Sequence, residues 1–223
     1  MFRVLITGFY DWKDLGVPPL IDRCRDNPSG RLLVKKGRGS RGFLGPLALK
    51  LKEWLKANSH FKIDLNFQIL PVVWDQVDQL KLDEYHQVIH LGLGVYDSFH
   101  TFLIEEGAYN LHQGRDALGV LRDTTIQPNA PCILTPNPST QRGLVRATQI
   151  DLPSPFKART ISARSENVYL CNATYYRSLM HLSPQLREAY FIHIPHSEDQ
   201  DQGDDSLASA LLILIQALIL TDF

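Results

Sequence analysis

Short apolar runs rich in β-branched residues alternate along this chain with segments of helical period, and that alternation constrains the fold most. "RVLITGF" (3–9), "FKIDLNFQIL" (61–70), "HQVIHLGLG" (86–94), "KARTISAR" (157–164) and "REAYFIHIPH" (187–196) each predict a strand, the last stopped by Pro195. Between them, "LGPLALKLKEWLKAN" sets Leu44, Leu47, Leu51, Trp54 and Leu55 on one helical face, with Pro46 near its start. "DQVDQLKL" predicts a short helix. From Cys171 onward, Tyr175, Leu179, Met180 and Leu182 recur at helical spacing, and "LASALLILIQALIL" closes the chain as a helix. Residues 10–42 read as loop, and 94–158 as mixed and rich in turns. Strands alternating with helices predict one three-layer α/β/α domain over residues 1–223, built on a mixed, mainly parallel sheet. In such folds, sites gather at the carboxyl ends of strands.

Charge and pattern exclude several functions. A formal net charge of -1 gives no electrostatic case for nucleic acid or an anionic membrane. The basic stretch from Arg31 to Lys52 holds a single aromatic residue, Phe43, too few to interleave with its cations, and reads as a solvated loop. The tail run is shorter than the roughly 20 residues that span a bilayer, and Gln216 interrupts it. It predicts a buried helix, apolar on more faces than one sheet can cover, which points to a homo-oligomer. The opening "MFRVLITGFYDWKD" is too quickly charged for a secretory leader. Three cysteines, Cys24, Cys132 and Cys171, make neither a disulfide framework nor a CxxC pattern, so a cytoplasmic setting with free thiols is expected. "GLG" at 92–94 lacks the third glycine of a dinucleotide loop, and the histidines show no HExxH spacing. No cofactor or metal is expected.

The chemistry-bearing candidates lie far apart in sequence. In "NVYLCNATYY", Cys171 follows a turn-like "SEN" and opens a helix. A thiol at a helix N-terminus is drawn toward thiolate by the dipole and the N–H groups there, which can also hold an oxyanion. A buried packing cysteine is the plain alternative. His193 ends a strand where loops meet and suits a general base, with His196 as a rival. Glu105 or Glu106, in "FLIEEGAYN", supplies a carboxylate to orient the imidazole.

Four segments in order resemble the pyroglutamyl peptidase I (pyrrolidone-carboxylate peptidase) family: "VLITGF", "VIHLGLG" followed by "EEGAYN", "YLCN" and "FIHIP". The resemblance implies a cytoplasmic, cofactor-free cysteine exopeptidase that removes an N-terminal 5-oxoproline from blocked peptides, and loosely a homo-oligomer. Cys171 would be nucleophile, His193 base and then acid, and Glu105 the orienting carboxylate. Arg115 would assist the oxyanion or the substrate carbonyl. Phe9 and Trp12 would sandwich the flat lactam ring.

This chain departs from the family pattern around those positions. The proline and glycines of the aromatic loop become Asp11, Lys13 and Asp14. Glu106 replaces an arginine, and the S-A-G before the cysteine becomes Ser165-Glu166-Asn167. Added acids near the pocket predict a substrate bearing a cationic group. A non-catalytic relative on the same fold and a thiol amidase of another substrate class are the alternatives.

Overall fold

Strands buried on both faces need cover above and below, because side chains alternate along them. The computed structural model describes residues 1–10, 27–35, 43–94, 100–195 and 200–220, with side chains in the last helix from residue 204. In chain order the elements are β1 (Phe2–Phe9), α1 (Pro28–Arg31), β2 (Val34–Lys35), β3 (Phe43–Leu44), α2 (Pro46–Ala57), β4 (Ile63–Leu70), β5 (Gln87–Leu93), β6 (Thr101–Glu105), β7 (Ala108–Tyr109) and β8 (His112–Arg115). There follow β9 (Leu121–Thr124), β10 (Ile133–Leu134), α3 (Pro138–Gln149), β11 (Lys157–Ile161), α4 (Leu170–Met180), β12 (Glu188–Ile194) and α5 (Gln200–Ile219). The segment read as "DQVDQLKL" forms two 3₁₀ turns, Gln76–Gln79 and Leu82–Glu84.

Six strands form the central sheet in the order β11-β6-β12-β5-β1-β4. The last four in that order run parallel; β6 meets β12 antiparallel and pairs parallel with β11. The sheet is therefore mixed and mainly parallel, as the alternation predicts. On one face Val4, Ile6, Ile89, Leu91, Ile104 and Ile192 pack beneath α2, α3 and α5. On the other, Leu5, Val88, Ala189 and Phe191 pack beneath α4 and the segments that flank it. Three layers result.

Elements differ from expectation in three places. α1 and β2 stand within residues 10–42, which read as loop. Residues 101–105 read only as an apolar run, yet they form β6. The turn-rich stretch after residue 123 contains α3. Its inward stripe is Thr140, Gly143, Leu144 and Ala147, too small and polar to register as a hydrophobic face. Its start was nonetheless written in the sequence: Asn137 accepts a hydrogen bond from the Thr140 N–H at 2.9 Å, and Pro138 takes the first helical position.

The tail helix finds its cover within the chain. Leu211, Leu214, Ile215 and Leu218 are fully buried in the core shared with α2 and α3. Arg31 clasps Asp204 of α5 through Nε and Nη2 at 2.7 and 2.9 Å, and Lys50 pairs with Asp205 at 3.1 Å. Two cations of the basic stretch are thus spent on this helix. Among the described residues, no helix is long and apolar enough to cross a membrane.

Tight packing also governs α3. Tyr190 donates to the buried Glu188 carboxylate at 3.0 Å, and a Cβ on Gly143 would fall 2.0 Å from that tyrosine oxygen. Alanine in a helix normally gains about 1 kcal/mol over glycine. Here the overlap reverses the sign: Gly143→Ala is expected to cost about 1–3 kcal/mol in urea unfolding. A stabilised variant would show that α3 can shift freely.

Candidate active site

His193 is the penultimate residue of β12, paired with Gly92 of β5 and Leu103 of β6. Glu105 lies two residues beyond Leu103, so it shares a sheet face with His193. It is the face that α4 covers. His193 Nε2 and Glu105 Oε1 are 2.6 Å apart, and both residues are buried. A carboxylate can only accept, so Nε2 carries the proton and the lone pair stays on Nδ1. The choice between the two acids is settled by geometry. Glu106 points elsewhere and accepts from the Ser162 hydroxyl at 3.0 Å.

Cys171 is the second residue of α4 and half-buried. Its sulfur lies over Gly92: a Cβ built there would meet Sγ at 3.0 Å and the Phe191 ring at 2.7 Å. Because Gly92 pairs with His193, the missing side chain would stand on the same face as the imidazole. The glycine makes the slot that the thiol fills, beside the strand that carries His193. Phe191 closes one side, its ring centroid 5.0 Å from that of His193.

The start of α4 is anchored by side chains rather than capped. Tyr169, at the N-cap, makes no side-chain cap bond. Asn172 instead accepts from the Tyr109 N–H at 2.7 Å and donates to the carbonyls of Tyr109 and Leu111 at 2.9 and 3.1 Å. Tyr175 donates to the Glu105 carbonyl at 3.3 Å. These bonds fix the helix dipole and its first-turn N–H groups beside the thiol. Asn172 belongs to "YLCN", but nothing in its spacing announced this anchoring role.

Below the site lies a second histidine that sequence reading passed over. His90 is fully buried, bonded through Nδ1 to Thr7 and through Nε2 to Ser178, each at 2.7 Å. Ser178 donates its only proton to the Thr174 carbonyl, so it accepts from His90 Nε2–H. Thr7 then donates to Nδ1, and the imidazole is neutral. Burial pushes its pKa down to about 3. This relay ties β1, β5 and α4 together.

Of the remaining predicted residues, Phe9 and Arg115 lie in described elements. Phe9 ends β1 almost fully buried, packed with Leu5, Leu70, Val72 and Trp74. Arg115 is exposed at the end of β8 and donates to the Gly119 carbonyl at 3.0 Å, across its own hairpin turn. Its backbone carbonyl accepts from the Tyr169 hydroxyl at 2.5 Å, which brings that residue's main chain to the start of α4. Trp12, Asp11, Cys24 and His196 lie outside the described residues. Asn167, unremarked as a functional group in the sequence, donates to Glu105 Oε1 at 2.6 Å. Among the described residues, no cluster of three or more His, Cys, Asp or Glu could hold a metal ion.

No protein-family model matches the sequence, and no curated protein matches it closely. Solved structures do resemble the fold. A mutant pyrrolidone carboxyl peptidase from Pyrococcus furiosus is 20% identical, with a TM-score of 0.66 over 100% of both chains. Pyroglutamyl peptidase I from Bacillus amyloliquefaciens is 17% identical, with a TM-score of 0.64 over 100% of this chain and 98% of that one. Pyrrolidone carboxyl peptidase from Thermus thermophilus is 21% identical, with a TM-score of 0.59 over 94% and 99%. The chain has the fold of these proteins along nearly its whole length.

Two outcomes are expected. Gly92→Ala should displace the thiol or the Phe191 ring and slow alkylation of Cys171 by iodoacetamide; an unchanged rate would mean that the slot does not hold the sulfur. His90 titrates lower in the folded state than the 6.5 of an unperturbed histidine, so the unfolded chain binds the extra proton. Stability should therefore fall as pH drops from 6.5 toward 3, by on the order of 3 kcal/mol at pH 4 from this residue. His112, pushed down to about 4 mainly by burial, adds in the same direction. Thermal melts across that range, repeated on His90→Gln, should show a shallower slope in the variant.

Proposed function

We propose that this chain is a cysteine exopeptidase that removes an N-terminal 5-oxoproline residue from peptides through a thioester acyl-enzyme. One observation carries the reading. The Glu105–His193 bond lies on the sheet face where the Cys171 sulfur rests over Gly92, the cross-strand partner of His193. The resemblance of the fold to pyrrolidone carboxyl peptidases supports the same conclusion.

His193 takes the thiol proton on Nδ1, and the resulting imidazolium is stabilised by Glu105 at Nε2. The Cys171 sulfur attacks the acyl carbon that joins the 5-oxoprolyl residue to the next amino acid. First-turn N–H groups of α4 face the oxyanion as it forms. His193 then protonates the departing amine and the C–N bond breaks, leaving a thioester. Water, deprotonated by the same nitrogen, releases free 5-oxoproline and restores the thiol. Every proton in this cycle moves through side chains of the chain itself.

Phe9 and Trp12 are the aromatic groups proposed to face the lactam ring, and Arg115 the cation proposed near its carbonyl. Charge suggests a refinement of substrate choice. Glu106 follows the triad carboxylate, and the exposed Glu166 precedes the asparagine bonded to it. The exposed Glu166 is the acid proposed to favour a peptide with a cation just after the blocked residue, whereas Glu106 is turned to Ser162. A cytoplasmic, homo-oligomeric setting completes the proposal.

Release assays with 5-oxoprolyl reporters test it. Cys171→Ala and His193→Ala should each lower turnover by about 10³-fold or more, while leaving the fold intact. Release that survives Cys171→Ala would end the thiol mechanism. A reporter that stays intact although Cys171 alkylates rapidly would shift the reading to a thiol amidase of another substrate class. Lysine after the blocked residue should be cut faster than glutamate, and less so at high salt.

A further inference from the structure

We propose that Asn167 is a positioning residue for the Glu105–His193 pair, an inference that rests on the nucleophile–base reading above. Glu105 Oε1 receives two donors, His193 Nε2 and Asn167 Nδ2, each at 2.6 Å. A lone imidazole contact leaves the carboxylate able to turn about its terminal bond, a soft torsion. A second donor on the same oxygen fixes which lone pair faces the ring. The glutamate backbone is held as well, because its carbonyl accepts from Tyr175.

The placement of Asn167 supports the role. It lies on the loop from β11 to α4, four residues before Cys171. Its backbone N–H closes a turn on the Arg164 carbonyl at 3.1 Å, and the adjacent Val168 carbonyl accepts from Gln113 of β8 at 2.9 Å. The loop is therefore pinned on both sides of the amide, which reaches the carboxylate from a fixed base. The same loop delivers the nucleophile, so one short segment sets thiol and carboxylate against the imidazole from opposite elements.

An amide donor exerts two opposed effects. It draws charge from the carboxylate, which weakens its hold on an imidazolium, and it keeps the carboxylate aimed, which strengthens that hold. With both bonds on one oxygen, aim dominates. Among the described residues, the titratable groups near His193 are Glu105 from β6, Cys171 and the neutral Tyr175 from α4 and, beyond Phe191, the neutral His90 from β5.

The test is the pH titration of the His193 imidazole, followed by nitrogen-detected NMR in the full chain, with melting curves as the check on folding. Asn167→Ala should lower the midpoint by about half to one pH unit, a three- to tenfold loss of proton affinity. Glu105→Gln should lower it further, and Asn167→Ala should add nothing in that background, because the amide acts only through the carboxylate. On a 5-oxoprolyl reporter, the acid limb of kcat should move down with the midpoint while KM holds. An unchanged or raised midpoint in Asn167→Ala, or an equal fall in the Glu105→Gln background, overturns the proposal. If Asn167→Ala does not fold, Asn167→Ser, whose hydroxyl is too short to span the gap, is read in the same way. Failure of the parent reading shows separately: wild-type Cys171 would alkylate no faster than the exposed Cys132, while the His193 titration would still decide the role of Asn167.

Discussion

The bond between His193 and Glu105 depends on a reversal of strand direction. Were β6 parallel to β12, the carboxyl end of β6 would stand level with the far end of its neighbour in a different register. The antiparallel join instead sets Leu103 opposite His193 and Glu105 one step along the same face. A buried carboxylate and a buried imidazole are each costly to place alone. Together, with the asparagine donor, they satisfy one another, and the helix above them is anchored to the same strand through Tyr175. The single inverted junction in an otherwise parallel neighbourhood thus decides where the polar groups can lie.

Cover on that face explains the rest of the site. α4 approaches so closely that its second residue touches the sheet where only glycine stands. The approach is held by Asn172 at one end and by the His90–Ser178 bond further along. The neutral histidine serves the packing: it joins strand hydroxyl to helix hydroxyl at a depth where a charged ring would be expelled. The two histidines on neighbouring strands therefore differ in kind. One is partnered by hydroxyls, the other by a carboxylate, and only the second can stabilise an imidazolium.

Much of this was legible in the sequence, for identifiable reasons. The runs at β1, β5 and β12 were legible because both their faces are apolar, those at the sheet edges, β4 and β11, because apolar and polar residues alternate, and the closing helix because its apolar run is long. β6 was missed because five residues show no period, and its reversed direction has no local signal. α3 was missed because its inner stripe is Thr140, Gly143, Leu144 and Ala147, although the Asn137-Pro138 start marked it. At the site, Cys171, His193 and Glu105 were identifiable as residue types in context. The choice of Glu105 over Glu106 was a matter of which side of a strand each occupies. The parts played by Asn167, Asn172 and Gly92 came from contacts across more than 60 positions of sequence, which no spacing encodes. The tail helix illustrates the converse. Its wide apolar surface was legible, but that α2 and α3 of the same chain flank it was not.

The order of strands has a bearing on synthesis. β12 lies between β5 and β6, yet it emerges from the ribosome after every other strand of the sheet. In the finished sheet β12 alone joins β1, β4 and β5 to β6 and β11, so without it each group has an unpaired inner edge. Such edges invite pairing with other chains. The last strand to arrive is also the one that carries His193, so the seam is sealed and the imidazole delivered in the same event. A growing chain therefore holds the sulfur and carboxylate of the proposed site without its imidazole.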